Sequence, residues 1–192
     1  DADKGNTVYI AVEHPIPLIP NVRFAFTNLS FTGDETLNKE ITFNGTTYAA
    51  ATNIESEIDI SHNDVTLYYE LLDNVVSLDV GVNVRIFDGS VALSSAATGR
   101  ESISLDQAVP MLYASARADL PLTGLYVGGD AYFLSIGSNE MSDLTAKVGY
   151  TITHGFGVEG GYRVLRLKLD DVNNLNSDVK IDGAYASATF HF

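Results

Sequence analysis

The sequence predicts an all-β protein, a closed antiparallel β-barrel that crosses a membrane. Three observations lead to this prediction: segments in which apolar and polar residues alternate, connections that differ in length at the two ends of those segments, and an aromatic last strand. Alternation with a period of two residues is typical of a strand with one apolar and one polar face. The 192 residues are expected to form a single domain, 1–192.

The clearest strand runs from Val76 to Ile86, where apolar residues occupy every second position over eleven residues. That length is about twice the mean for globular proteins and matches the roughly 9–11 tilted residues that cross a bilayer. Eight further segments alternate in the same way, and no helix is predicted. These segments are 8–12, 22–26, 65–71, 112–118, 125–133, 144–152, 158–164 and 184–192.

The connections between these strands fall into two classes. Short links at 15–20, 72–74, 119–124 and 154–155 alternate with longer polar links at 33–57, 88–103, 137–143 and 170–178. Outer-membrane barrels have short periplasmic turns and longer extracellular loops, so the short links are predicted to be periplasmic. No run of 18 apolar residues occurs, which excludes a transmembrane helix.

Strand direction bears on the strand count. If the last strand ends in the periplasm, counting back through nine strands places Asp1 on the extracellular side. Bacterial barrels usually have an even number of strands. We therefore favour ten strands, with one strand preceding Asp1, and eight is the alternative.

The sizes of the side chains predict which face points outward. The apolar face carries many alanines and glycines, which would leave a void if they pointed inward but which acyl chains can cover if they point outward. The polar face carries tyrosines and a nearly balanced set of charges, which a barrel of about eight strands can just enclose. The predicted interior ion-pair network consists of Glu13, Arg23, Glu70, Asp79, Arg85, Arg117, Asp130, Lys147, Glu159 and Arg163.

Buried charges persist when they are paired and hydrogen-bonded, so each of these cations requires an inward carboxylate. Arg85 and Arg117 are expected to lie within ion-pair distance of such a group. The favoured partners are Asp79, Asp130 and Glu70.

The C-terminal strand adds a separate signal. Phe190 and Phe192 fall in phase with the apolar face, and this ending resembles the terminal strand that guides the assembly of outer-membrane proteins. The whole chain also resembles a family of small proteobacterial outer-membrane proteins. The segments that carry this resemblance are Glu13-His14-Pro15, Pro20-Asn21-Val22-Arg23, Gly160-Gly161-Tyr162-Arg163 and Phe190-His191-Phe192. The resemblance implies a fold and a location but no activity.

Catalytic chemistry is not predicted. His14, His154 and His191 fall at the short-turn end, and His62, near Asp64, is expected to be a surface histidine on an extended hairpin. A weak calcium candidate is formed by Asp170, Asp171, Asn173 and Asp178, whose oxygen ligands suit Ca²⁺ but are also ordinary turn residues. No metal or cofactor is expected. The absence of cysteine excludes disulfides, and the net charge of −14 argues against nucleic acid.

The resulting hypothesis is a monomeric barrel in the bacterial outer membrane, with a structural or surface-interaction role and a lumen filled by paired charges. The alternatives are a narrow channel for small polar solutes and an outer-leaflet enzyme that modifies lipid or cleaves peptides. Expected partners are outer-membrane lipid and lipopolysaccharide, the barrel assembly machinery, through the last strand, and an extracellular protein. Acidic residues between 33 and 57 also suit divalent cations that bridge to lipopolysaccharide phosphates.

Overall fold

A computed structural model describes residues 5–14, 16, 18–153, 156–172 and 175–190. These residues contain strands and turns but no helix, and hence no helix long and apolar enough to span a membrane. The strands are β1 (Asn6–Val12), β2 (Asn21–Asn28), β3 (Ser30–Thr36), β4 (Ile41–Phe43), β5 (Thr46–Tyr48), β6 (Asn53–Asp59), β7 (His62–Asp73), β8 (Val76–Phe87), β9 (Gly89–Ser95), β10 (Gly99–Leu105), β11 (Ala108–Asp119), β12 (Leu125–Ile136), β13 (Asn139–Thr153), β14 (Phe156–Val172) and β15 (Leu175–Phe190).

These strands form three sheets. The largest has nine strands in the order β1-β2-β7-β8-β11-β12-β13-β14-β15 and is a nearly closed, antiparallel, barrel-like sheet. A second sheet has the order β10-β9-β6-β3, and β4 pairs with β5. The all-β prediction is confirmed, and each of the nine predicted segments lies in the nine-stranded sheet as far as the structure describes it, the last segment being described up to Phe190. Full closure, a tenth strand and a membrane location stay predictions.

The chain forms two compact units. The barrel unit consists of Val8–Ala25, Asp64–Val84 and Val109–Phe192, and the insert unit consists of Asp1–Thr7, Phe26–Asn63 and Arg85–Ala108. The single domain expected for 1–192 stays a prediction.

Regular pairing gives the barrel unit its two faces. Strands β12 and β13 pair without interruption from Leu125 with Tyr150 to Ile136 with Asn139. Directly paired residues in antiparallel strands point to the same side, so the alternating apolar residues of neighbouring strands form one continuous face. Val127, for example, is paired with Val148 and both are exposed.

Two of the predicted long loops are wrong. Strand β12 ends at Ile136 and β13 begins at Asn139, so 137–143 contains only a two-residue turn followed by strand. Gly137 adopts a φ of 62°, a conformation that glycine reaches without steric cost. Likewise β14 ends at Val172 and β15 begins at Leu175, so most of 170–178 is strand. Both hairpins simply extend the alternation beyond the apolar residues that defined the predicted segments.

The other two predicted loops also contain strands. Residues 33–57 and 88–103 supply most of the four-stranded sheet of the insert unit and its β4–β5 hairpin. Asn44 and Gly45, both with positive φ, make the two-residue turn of that hairpin. Tyr48 in β5 is completely buried, and its hydroxyl donates to the carbonyl of Leu93 at 3.1 Å. The insert unit therefore has a small core of its own.

Two inward-facing glycines of the barrel unit, Gly149 and Gly161, lie against tyrosine rings. A Cβ on Gly161 would come within 2.6 Å of Cε1 of Tyr185 and would also collide with the carbonyl of Ala146. The neighbouring Gly160 points outward, and its nearest potential contact is 3.7 Å away. Gly161 therefore accommodates a large aromatic neighbour, the ring of Tyr185.

We therefore expect Gly161→Ala to destabilise the protein by about 1–3 kcal/mol, the usual cost of overpacking. Gly160→Ala is the matched control, one residue away on the same strand, and should change the free energy of unfolding by less than about 0.5 kcal/mol. Urea unfolding of the purified protein, followed by tyrosine fluorescence, measures both. Equal stability of the two variants would contradict the packing of Tyr185 described above.

Candidate functional site: the charged interior of the barrel unit

The two faces of the nine-stranded sheet have opposite chemistry. On the outward face Val82 is 52% exposed, Val127 47% and Val148 53%. On the other face Asp143 is 1% exposed and Glu159 6%. The outward direction of the apolar face is therefore confirmed, and the ionisable groups lie mainly inside.

Lys147 is the centre of the interior network. Its Nζ atom lies 2.7 Å from Oδ2 of Asp130 and 3.8 Å from Oε2 of Glu159. These three side chains come from β13, β12 and β14, and all three are less than a tenth exposed. The ammonium group of Lys147 thus contacts two carboxylates, one on each of the strands that flank β13.

Glu159 accepts further hydrogen bonds, which distribute its charge over several donors. The hydroxyl of Tyr126 donates to Oε2 at 3.1 Å, and that of Tyr185 donates to Oε1 at 2.9 Å. Ser187 contributes a longer hydrogen bond of 3.5 Å to Oε1. A buried carboxylate with this number of donors is well compensated for the loss of water.

Arg23 connects opposite walls of the interior. Its guanidinium lies 3.7 Å from Asp130 and donates to the hydroxyl of Tyr113 at 3.2 Å. The same group lies 4.2 Å from the ring centroid of Tyr9, a cation–π geometry. Since Arg23 belongs to β2 and Asp130 to β12, their contact spans four steps in the order of the sheet. Side chains therefore meet across the interior at this level.

Aromatic rings continue this crossing layer. The ring centroids of Tyr68 and Tyr113 are 5.9 Å apart, and those of Tyr113 and Tyr132 are 5.1 Å apart. Both separations are typical of favourable aromatic pairs. All three rings are buried, and together they extend from β7 to β12.

A second ion pair joins β13 and β14. Arg163 donates from Nε to Oδ1 of Asp143 at 2.8 Å and from a terminal nitrogen to Oδ2 at 2.5 Å, a bidentate arrangement. Asp143 was missed because 137–143 was predicted to be a loop. Its parity, which matches Thr145 and Lys147, was the available signal.

The remaining predicted network residues are distributed less compactly. Arg117 pairs with Asp119 on its own strand at 2.7 Å, so the partners favoured for it were wrong. Glu13 accepts a hydrogen bond of 2.8 Å from the Tyr68 hydroxyl. Arg85 is fully buried, whereas Glu70 is exposed and Asp79 lies partly buried on the inward face. The carboxylate partner proposed for Arg85 stays a prediction.

His62 lies in a different environment from the one predicted for it. His62 is only 2% exposed, so its assignment to the surface was wrong. Its Nδ1 is hydrogen-bonded with the carbonyl of Ile60 at 2.8 Å, and its ring packs on Phe87. Within the described part of the chain, no three His, Asp or Glu side chains are grouped to hold a metal ion.

Several predicted residues lie outside the side chains that the structure describes. This applies to the calcium candidate, to the aromatic assembly signal and to two of the four histidines. The residues concerned are Asp170, Asp171, Asn173, Asp178, Phe190, Phe192, His154 and His191.

Removing Lys147 should destabilise the fold strongly. In Lys147→Met the carboxylates of Asp130 and Glu159 lose their shared cation, and breaking a buried pair in this way costs about 3–5 kcal/mol. Arg100→Met is the control, because Arg100 forms an exposed pair with Glu57 at 2.7 Å. Exposed pairs contribute about 0–1 kcal/mol.

Urea unfolding of the purified protein measures these differences, and a rescue variant identifies their cause. Asp130 still has Arg23 at 3.7 Å in Lys147→Met, whereas Glu159 has lost its cation. Adding Glu159→Gln to Lys147→Met removes this uncompensated charge and should restore part of the lost stability. A Lys147→Met protein as stable as Arg100→Met would show that the interior does not depend on this cation.

Comparisons with known proteins assign no relative to the chain: no family model, curated protein sequence or solved structure matches it. The function proposed below therefore rests on the distribution of side chains over the two faces of the sheet.

Proposed function

We propose that the protein is a bacterial outer-membrane β-barrel that anchors a surface-interacting unit and whose interior does not conduct ions. One observation carries this proposal: the nine-stranded sheet exposes its large apolar side chains and buries its charges. A soluble protein usually buries its large apolar side chains and exposes its charges, and contiguous exposed apolar surfaces above a few hundred Å² are rare in soluble monomers. The arrangement seen here is favourable if hydrocarbon surrounds the sheet.

The outward surface suits contact with acyl chains. A shallow, open groove of about 590 Å³ runs along β13, β14 and β15, where Gly160, Ala186 and Ala188 lie among larger neighbours such as Val148 and Tyr150. In water this uneven apolar surface would carry a large hydration cost. Flexible lipid chains can fill such depressions, whereas a rigid protein partner would have to match them.

The strand lengths support the same environment. Strand β12 has 12 residues and β13 has 15. At ~3.4 Å per residue, 12 residues extend roughly 40 Å, and a tilt of ~40° reduces the span to about 30 Å. This is sufficient for the apolar band of about 25 Å that outer-membrane barrels present to lipid.

The filled interior argues for an anchoring role and against transport. Arg23 reaches Asp130 and Tyr113 from the opposite wall, and Lys147 joins Asp130 to Glu159. A barrel of about eight strands is only just wide enough for its own side chains, and diameter grows with strand number, but here the side chains of β2 and β12 still meet across the interior. These crossing contacts leave no reason to infer a water-filled path of useful width.

The insert unit is the candidate interaction surface. Its strand-bearing segments 30–59 and 89–105 contain seven acidic residues and only two basic ones, Lys39 and Arg100, for a net charge of −5. Such a surface favours a cationic partner or divalent cations.

In the proposed orientation the short turns and the C-terminus are periplasmic. The last strand engages the assembly machinery, and a tenth strand completes the sheet.

The membrane location is tested by placing charge on the outward face. Val148→Lys should cost about 2–4 kcal/mol in phosphatidylcholine vesicles, because a lysine near the middle of the bilayer loses its hydration. Ile103→Lys is the control, at a residue of the insert unit that is 42% exposed. It should change stability by less than about 0.5 kcal/mol.

Urea unfolding and refolding of the vesicle-inserted protein measures both variants. If Val148→Lys were no more destabilising than Ile103→Lys, the outward face would be in contact with water and the membrane proposal would be wrong.

The absence of conduction is tested in planar bilayers. We expect no steady single-channel steps from protein whose insertion is verified by flotation with vesicles, because the interior side chains meet across the sheet. Reproducible steps whose ion selectivity changes in Thr145→Lys, a substitution on the inward face, would overturn this expectation in favour of a narrow channel.

A further inference from the structure

The outward face of the nine-stranded sheet carries basic side chains at one place only among the described residues. Arg166 and Lys168 on β14 and Lys180 on β15 share the parity of the exposed Val158 and Tyr162. All three lie toward the end of the strands that is opposite the short turns. Over the middle of the sheet, the other side chains on this face are apolar or small.

Arg166 and Lys180 are direct partners in the register of β14 and β15. The Cβ atoms of such partners lie about 5 Å apart, and like charges directly opposite each other are unfavourable. Lys180 forms an exposed ion pair with Asp182 at 3.0 Å, and Asp182 also accepts a hydrogen bond from the Tyr162 hydroxyl. No partner is found for Arg166 within the described part of the chain. An external anion between the two cations would relieve their repulsion.

Lys168 has a different setting. Its register partner on β13 is the acidic residue Glu140. The partner of Arg166 on β13 is Ser142, which is uncharged. Of the three basic residues, the paired Arg166 and Lys180 are therefore the two that are suited to binding an anion.

A ligand suited to this place has an anionic group beside Arg166 and Lys180 and an apolar part that contacts the outward face of the sheet. From Arg166, the half-buried Val164 and the exposed Tyr162 lie two and four residues along the strand, or about 7 and 13 Å. A phosphate beside Arg166 and Lys180 would place attached acyl chains along these residues. We propose that Arg166 and Lys180 bind a phosphate of lipopolysaccharide in the outer leaflet. This inference rests on the proposed membrane location and on its orientation, with the short turns in the periplasm.

The test measures lipid binding to the folded protein in neutral detergent. Purified lipopolysaccharide is titrated into wild type and Arg166→Gln/Lys180→Gln, and the apparent Kd is read from the increase in Tm. With about 1 kcal/mol for each basic residue near an anionic membrane surface, the double variant should bind on the order of 20- to 30-fold more weakly. Arg166→Lys keeps the charge and should retain most of the affinity.

Lys39→Gln/Arg100→Gln is the matched control, because it also removes two exposed cations but from the insert unit. Its affinity should equal that of wild type. Enzymatically dephosphorylated lipopolysaccharide, phosphatidylglycerol and inorganic phosphate should each bind wild type at least tenfold more weakly than intact lipopolysaccharide.

The inference is overturned if the Arg166→Gln/Lys180→Gln protein binds like wild type, if both double variants weaken equally, or if phosphatidylglycerol or dephosphorylated lipopolysaccharide binds as well as the intact lipid. Failure of the membrane proposal is separate, since it would appear in the Val148→Lys comparison without any added lipopolysaccharide.

Discussion

The neutralisation of charge inside the barrel unit is the constraint on which the rest of the structure depends. Asp130 and Glu159 can be buried because Lys147 lies between them and tyrosine hydroxyls complete their hydrogen bonding. A lone carboxylate in such surroundings would be too costly. Each charged strand must therefore keep its neighbours in one register, since a slip of one residue would move every ionisable group to the apolar side.

Much of the fold could be predicted because a strand repeats every two residues. The alternation located all nine strands of the large sheet, and the small residues of the apolar face indicated the outward side. The β4–β5 hairpin was missed although Asn44-Gly45 is a strong turn signal, because the polar residues around it were assigned to a loop. The hairpin ends near Asp143 and Asp170 were missed for a related reason. Beyond the apolar band of β14, the outward residues become polar, as at Arg166 and Lys168, while the inward Leu165 is apolar, so the pattern that defined the predicted segments reverses.

The site was predicted less completely than the fold. Alternation assigned the direction of Lys147, Glu159 and Arg163, but the partner of each depends on the relative shift of neighbouring strands. Arg117 illustrates this, since its contact is Asp119, two residues along the same strand and near the short-turn end. His62 is likewise buried in contact with the ring of Phe87, a residue distant from it in the sequence. The spacing of residues along the sequence does not reveal how far neighbouring strands are shifted relative to one another, and it therefore does not identify these contacts.

The order of the nine-stranded sheet has a consequence for folding kinetics. Most neighbours in the sheet are consecutive hairpins with contacts between nearby residues, while β2 with β7 and β8 with β11 enclose the segments of the insert unit. In an antiparallel sheet the first and ninth strands run in the same direction. Direct joining of β1 to β15 would thus need slanted parallel hydrogen bonds between residues about as distant in sequence as the chain allows. Because such distant closure carries the largest entropic cost, the hairpins should form early and the seam should limit the rate.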